Sequence, residues 1–334
     1  MFLTVTRYNL ARMTRRSAMA SSLPQRLKHT GFETSTQGGP AGSASHLMYF
    51  SRQGTPVSPW HDIPLEADGH FHMVCEVPRW TNAKMEIDTK APFNPIRQDA
   101  KNGRLRFVAN TFPYKGYIWN YGALPQTFED PQVRDRDTGC VGDSDPLDVV
   151  EIGQAVGVQG AVYRVKVLGL VALIDDGETD WKILAIRSDD PLADKLQDVA
   201  DIDRYMPGLV GATVDWFTRY KVPDGKGLNK WAFGGKPKDA AYARGVIADA
   251  HEAWRRLIRS SQSKFALKNV SVDASPHRLL PSDANNAFTA LTDRSPGQVL
   301  GKDPQAAAAE AAGATAVQTA PDKWYYLSGS TIAN

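Results

Sequence analysis

"GDSDPLDVVEIG", residues 142–153, sets three aspartates, Asp143, Asp145 and Asp148, at the mouth of an apolar run. Leu147, Val149, Val150 and Ile152 follow the pattern of a buried strand, and Pro146 fixes a bend at its entry. Like charges this close repel, and burial raises their pKa values unless a cation neutralises them. Strand alternation predicts Asp143 and Asp145 on one side, with Asp148 turned by the bend towards the same space. Hard divalent cations such as Mg²⁺ take carboxylate oxygens held this way, supplemented by water and phosphate oxygens. A calcium-binding EF-hand loop does not fit, because counting from Asp135 or Asp143 gives no Gly at its sixth position and no Glu at its twelfth. Glu151 reads as an ordinary polar strand residue.

The rest of the chain is ordinary for a globular protein: 334 residues, 42% hydrophobic and 23% charged. That length suits one large domain with tails, or two domains. A net charge of +2 excludes a DNA-coating protein and a polyacidic one. Cys75 and Cys140 have no zinc or redox spacing, which points to a reducing compartment without a disulfide framework. The apolar run "VLGLVALI", 167–174, is too short to span a bilayer.

Three regions follow from composition. Residues 1–46 form a basic leader and a Gly/Ser/Pro linker. Arg7, Arg12, Arg15, Arg16, Arg26 and Lys28 precede the first acid, Glu33. This is the pattern of a mitochondrial transit peptide, so the expected address is the mitochondrial matrix, with a cytoplasmic protein carrying a basic tail as the alternative. Residues 47–260 form the globular part. Short strands are expected at 71–77, 84–88, 104–109, 147–152, 160–174 and 182–187, and amphipathic helices at 191–206, 209–222 and 239–260. Strands first and helices later predict an α+β domain, mainly β, built as an antiparallel barrel or sheet with helices outside. Residues 261–334 form a low-complexity tail. Little independent structure is expected up to 322, and the aromatic end "DKWYYLSGS", 322–330, is expected to fold back and dock.

Other segments carry charges that are individually unremarkable. "DDGETDWK", 175–182, reads as a hairpin with Asp180 and Lys182 on one face and Asp175 at the opposite lip. "EVPRWTNAKMEI", 76–87, places Lys84 and Glu86 on one strand face, with Glu76 across a turn. "GRLRFV", 103–108, turns Arg106 away from the core, "PYKGYIWNYG" supplies Tyr117 and Tyr121, and "RYKVPDGK" closes a helix with Tyr220 and Lys221. Taken together, Glu76, Glu86, Asp143, Asp145, Asp148, Asp175 and Asp180 need several divalent cations. Lys84, Arg106, Lys182, Lys221 and the tyrosines need an anion rich in oxygens, and metals with a small polyphosphate meet both needs.

These segments, in this order, resemble the soluble family I inorganic pyrophosphatases in their longer eukaryotic form. "DSDPLDV" fits that family's D-x-D-P-hydrophobic-D-hydrophobic pattern, and the likeness covers roughly residues 47–260 plus the aromatic end. The resemblance implies a five-stranded, OB-like β-barrel with helices packed outside. It implies Mg²⁺-dependent hydrolysis of inorganic diphosphate to two phosphates by direct in-line attack of a metal-activated water or hydroxide. Mn²⁺ is a substitute that the same oxygen ligands accept. Carried over position by position, the resemblance implies that Asp143, Asp148 and Asp180 hold the tightest metal, Asp148 bridges to a second, Asp175 and Asp180 serve a further one that arrives with substrate, and Glu86 serves a fourth. Asp145 matches the base that orients and deprotonates the nucleophile. Lys84, Arg106, Tyr117, Lys182, Tyr220 and Lys221 match phosphate ligands, Tyr121 matches a residue of the catalytic cavity, and Glu76 a supporting one. A homodimer is implied, with Arg79 and Trp80 as candidates for its interface and the core as the alternative place for Trp80.

A nucleic-acid-binding OB module fails on sign, because the acidic cluster repels a phosphate backbone. A protein that merely binds divalent cations has no use for four converging basic side chains. No nucleic-acid or membrane partner is therefore expected.

Overall fold

The computed structural model describes residues 30–293, 317–320 and 322–332. The basic leader up to residue 29 and the alanine-rich stretch at 301–316 lie outside these residues, so the expectation of a transit peptide does too.

Five strands make the frame: β1 (His70–Val77), β2 (Asn120–Ala123), β3 (Asp148–Glu151), β4 (Val162–Asp175) and β5 (Glu178–Arg187). Their pairings run in a ring. β1 pairs antiparallel with β2, β2 with β3, β4 with β5 and β4 back to β1, while β3 and β5 pair in parallel. This is the expected OB-like β-barrel. Adjacent residues of one strand enter different apolar clusters, Val149 with Met73, Ile183 and helix residue Ile247, and Val150 with Leu184 and Trp216. Both faces are covered, which is why residues 167–174 of β4 read as a near-continuous apolar run. At Gly122 a Cβ would lie 1.9 Å from the Val74 carbonyl oxygen, beside a shift in the β1–β2 register. Only glycine permits that approach, and it bends β2 so that Tyr121 turns into the site.

Four helices pack outside: α1 (Val199–Tyr205), α2 (Leu209–Arg219), α3 (Ala240–Ile258) and α4 (Pro281–Thr292). α3 lays Ala243, Ile247 and Ala250 against the barrel, and the Asp239 carboxylate accepts the Tyr242 N–H at its start. The helix expected over 191–206 begins only at Val199. Asp198 and Asp201 form a capping box there, while the Asp190 carboxylate holds the preceding residues in turns. Leu192 and Leu196 still pack on the core, which accounts for the helical spacing. Expected strand 104–109 shrinks to Arg104–Leu105.

Two segments carry more structure than expected. Phe32–Gln37, read as linker, pairs along its length with Leu47–Arg52. Residues 261–293, expected to carry little structure, are anchored by the buried Asp62 carboxylate, which accepts the backbone N–H groups of Val270 and Ser271 at 2.8 Å. They end in α4, whose Ala284 and Leu291 pack with Leu47, Tyr49 and Phe93. The aromatic end does dock. Trp324–Tyr325 pairs in parallel with Asn110–Thr111. No helix among the described residues is long and apolar enough to cross a membrane.

Candidate active site

The acidic stretch enters the barrel through a tight turn, not along an extended strand. Ser144 has a φ of +80°, and its N–H donates to the Glu129 carbonyl while the Glu129 N–H donates to the Asp145 carbonyl. This corrects the expectation that alternation alone aligns Asp143 and Asp145. The backbone N–H of Asp145 donates to the Asp143 carboxylate at 3.0 Å, which fixes the turn. β3 then starts at Asp148, opposite Lys182 on β5.

Lys182 is the hub. Its buried ammonium donates to the carboxylates of Asp148 and Asp180 and, at 2.9 Å, to the Tyr121 hydroxyl. The same ammonium lies 5.3 Å above the Phe217 ring. α2 supplies that ring and positions the residues after it. Phe217 stacks on Trp119, Trp216 stacks on Tyr220 at 4.9 Å, and Trp119 donates its indole N–H to Thr213. Lys221 follows directly and pairs with Asp175, so the tip of the β4–β5 hairpin and the end of α2 meet across this ion pair.

A second group lies beside the first. Lys84 contacts Glu86 at 2.7 Å and Asp99 at 3.1 Å, and Arg106 contacts the same Asp99 oxygen at 2.5 Å. Tyr117 sits between the groups, its ring 5.2 Å from that of Tyr121 and close enough to feel both Lys84 and Lys182. Glu76 stands behind, buried, accepting the Ile87 N–H at 2.7 Å and so holding the strand that carries Glu86. A cavity of about 410 Å³ opens here, lined among others by Glu86, Asp99, Asp143 and Asp145. Every candidate named from the sequence therefore falls in one connected region.

Two residues that the sequence reading passed over also belong here. Asp99 bridges Lys84 and Arg106. Glu129 brings a carboxylate oxygen within 4.8 Å of those of Asp143 and Asp180. One Glu129 oxygen accepts the Trp181 N–H at 3.1 Å, while the other is buried without a hydrogen-bond partner. An orphaned carboxylate oxygen beside two more carboxylates suits a divalent cation. Glu151 takes a different place from the one expected. It is fully buried and accepts from the Asn120 amide and the backbone N–H groups of Gly153 and Arg187, holding β2, β3 and β5 together.

The electrostatics follow from crowding. Desolvation, then Asp145 and Asp148, push Asp143 up to about 8. Asp145 is open to the cavity, yet desolvation by the surrounding walls, followed by Glu86, pushes it up to about 7. Burial also raises Glu76, Glu86, Glu129 and Asp180. The fold thus binds protons that the unfolded chain releases, so these acids oppose folding increasingly as pH rises from about 4 to about 8. In chelator the Tm should fall between pH 5 and pH 8. Added Mg²⁺ should restore more at pH 8 than at pH 5, as differential scanning calorimetry would show. A Tm flat across that range overturns this reading of the acids.

An OB-like barrel bearing carboxylates placed for hard cations, interleaved with side chains placed for an oxygen-rich anion, defines a metal-and-phosphate class of site. The family model described as inorganic pyrophosphatase matches residues 73–255. An inorganic pyrophosphatase of Drosophila melanogaster is 55% identical over 70% of this chain and 70% of its own length. One from Schizosaccharomyces pombe is 48% identical over 90% of this chain and 99% of its own. Among solved structures, the inorganic pyrophosphatase of Schistosoma japonicum superposes with a TM-score of 0.71 at 46% identity, covering 75% of this chain and 89% of that one. A Trypanosoma cruzi vacuolar soluble pyrophosphatase, solved in complex with PPi, does so with a TM-score of 0.64 at 36% identity, covering 77% and 97%. The chain belongs to the inorganic pyrophosphatase family, in its eukaryotic soluble family I branch.

Proposed function

We propose that this chain hydrolyses inorganic diphosphate to two phosphates, with Mg²⁺ as its cation, by direct in-line attack of water. One observation carries the reading. Glu129, Asp143 and Asp180 present a cation-sized carboxylate cluster, and the same Asp180 is bonded to Lys182, the hub of the anion-binding groups. Two bound divalent cations would lower the pKa of water and clamp the displacement.

The chain's own residues do the rest. Asp143, Asp148, Asp180 and Glu129 would hold the first cations, and Asp175 and Glu86 would hold further ones. Asp145 orients the attacking water and takes its proton at a carboxylate oxygen. Lys84 with Arg106, and Lys182 with Lys221, bind the two ends of the anion and stabilise charge on the leaving phosphate. Burial raises the pKa values of Tyr117, Tyr121 and Tyr220, which keeps their hydroxyls protonated as hydrogen-bond donors. Mn²⁺ should substitute for Mg²⁺ at such oxygen ligands.

The decisive assay is phosphate release from Mg²⁺-diphosphate by the purified chain. Two phosphates per diphosphate are expected, and no release overturns the proposal. A homodimer and a mitochondrial address belong to the same reading. Trp80 is 56% exposed, with the Arg79 guanidinium 5.7 Å above its ring, as a surface awaiting a second copy would be. A one-chain mass in light scattering rejects the dimer. A leader that fails to direct a fluorescent reporter to mitochondria leaves the cytoplasmic alternative.

A further inference from the structure

The motif "DKWYYLSGS" is not used by the chemistry, yet its place in the fold bears on it. Three contacts connect the C-terminal residues 317–320 and 322–332 to the anion-binding loops. First, the Gln318 side-chain carbonyl accepts the Leu105 N–H at 3.2 Å, and Gln318 itself is held by donating its backbone N–H to the Gly42 carbonyl at 2.8 Å. Leu105 immediately precedes Arg106. Second, Trp324–Tyr325 adds a parallel strand to Asn110–Thr111, and the Tyr325 carbonyl accepts the Phe112 N–H at 2.9 Å. Phe112 packs its ring against Trp324 and Tyr326 at 6.1 and 5.5 Å. Third, the strand Thr331–Ile332 comes alongside the turn Val222–Asp224, which follows directly on Tyr220 and Lys221.

The segment therefore runs from the Arg106 loop to the Lys221 turn. It buries little of itself, since most of its residues are exposed. Core packing thus does not explain it. What it adds is restraint on the Arg106 side, where its hydrogen bonds fall on Leu105 and Phe112. The other side of the Arg106 loop is already tied, because the Arg106 N–H donates to the Asp99 carbonyl and the Arg106 carbonyl accepts from Lys84 and Gln98. We propose that the C-terminal segment is a strap that positions Arg106 for the diphosphate, with Gln318 and Trp324 as its positioning residues. The proposal rests on the diphosphatase reading for its substrate, not for its geometry. Pre-setting a cationic side chain lowers the ordering cost of binding an anion, so the strap acts on affinity more than on the chemical step.

Full-length Gln318→Leu, Gln318→Glu and Trp324→Ala variants test this. Gln318→Leu removes the acceptor for Leu105, and the KM for Mg²⁺-diphosphate should rise roughly threefold to tenfold, the effect of one net hydrogen bond. The kcat should stay within about twofold and Tm should hold, because little apolar surface is lost. Gln318→Glu keeps a side-chain acceptor and should restore most of the affinity. Trp324→Ala should raise KM in the same direction. Amide hydrogen exchange provides a readout independent of turnover, in which Leu105 and Phe112 should exchange faster in the Leu and Ala variants respectively. An active wild type with KM unchanged in both variants overturns the strap, as does a fall in Tm and kcat at constant KM. If the wild type releases no phosphate, the substrate reading fails, and exchange alone decides whether the strap holds the loop.

Discussion

Chelating divalent cations should reduce phosphate release from diphosphate to background, and Mg²⁺ should restore it. Glu76, Glu86, Asp99, Glu129, Asp143, Asp145, Asp148, Asp175 and Asp180 surround or support a site with four cationic side chains, Lys84, Arg106, Lys182 and Lys221. In chelator those cations stay with internal partners. Lys182 keeps Asp148 and Asp180, Lys221 keeps Asp175, and Lys84 and Arg106 share Asp99. An incoming diphosphate then meets carboxylates while these four basic groups are already paired. Divalent cations reverse this at both ends, neutralising the acids and bringing the anion's own counter-charge. Activity surviving exhaustive chelation, measured as phosphate release, would reject metal dependence. Restoration by Mg²⁺ but not by monovalent salt separates site occupancy from general screening.

Much of this site was legible because its residues lie on short motifs that each carry their own spacing. Asp143, Asp145 and Asp148 sit within one turn and one strand, and Asp180 and Lys182 alternate along a strand, so their convergence follows from local geometry. Four of the five barrel strands were legible, but β2 was not, since its short Asn120–Ala123 segment carries no apolar run. Asp99 and Glu129 were not legible. Glu129 lies in a coil before Pro131, and the backbone bonds that bring it to Asp143 run to the Ser144–Asp145 turn, which no periodicity announces. Asp99 stands in a charged loop, and only the pairing of Met85–Ile87 with Ile96–Gln98 brings it to Lys84. Residues 261–293 were misjudged because their anchors are distant in the chain, the Asp62 carboxylate about two hundred positions away and the apolar side chains of Leu47, Tyr49 and Phe93. Glu151 shows the opposite error. A charged residue on a strand suggests a solvent face, but three donors fixed by the barrel's own register make its burial favourable.

Asp145→Asn should cost about 10²- to 10⁴-fold in kcat, the range expected for loss of a positioned base, while leaving the fold intact or slightly firmer. The two side chains have nearly the same shape, and the backbone bonds that place this residue, from its N–H to Asp143 and from the Glu129 N–H to its carbonyl, do not involve its carboxylate. What disappears is one negative charge that Glu86, Asp148 and Asp180 all repel. Its loss relieves crowding, so in chelator the variant's Tm should equal or exceed that of the wild type. KM should change little, because Asp145 makes no ion pair with Lys84, Arg106, Lys182 or Lys221. The split between a fallen kcat, a held KM and a held Tm distinguishes a lost base from a damaged fold. A kcat near that of the wild type in a homogeneous preparation would remove Asp145 from the role of base. Deprotonation of the water would then fall to another carboxylate on the cavity wall, and Glu86 lines that cavity too.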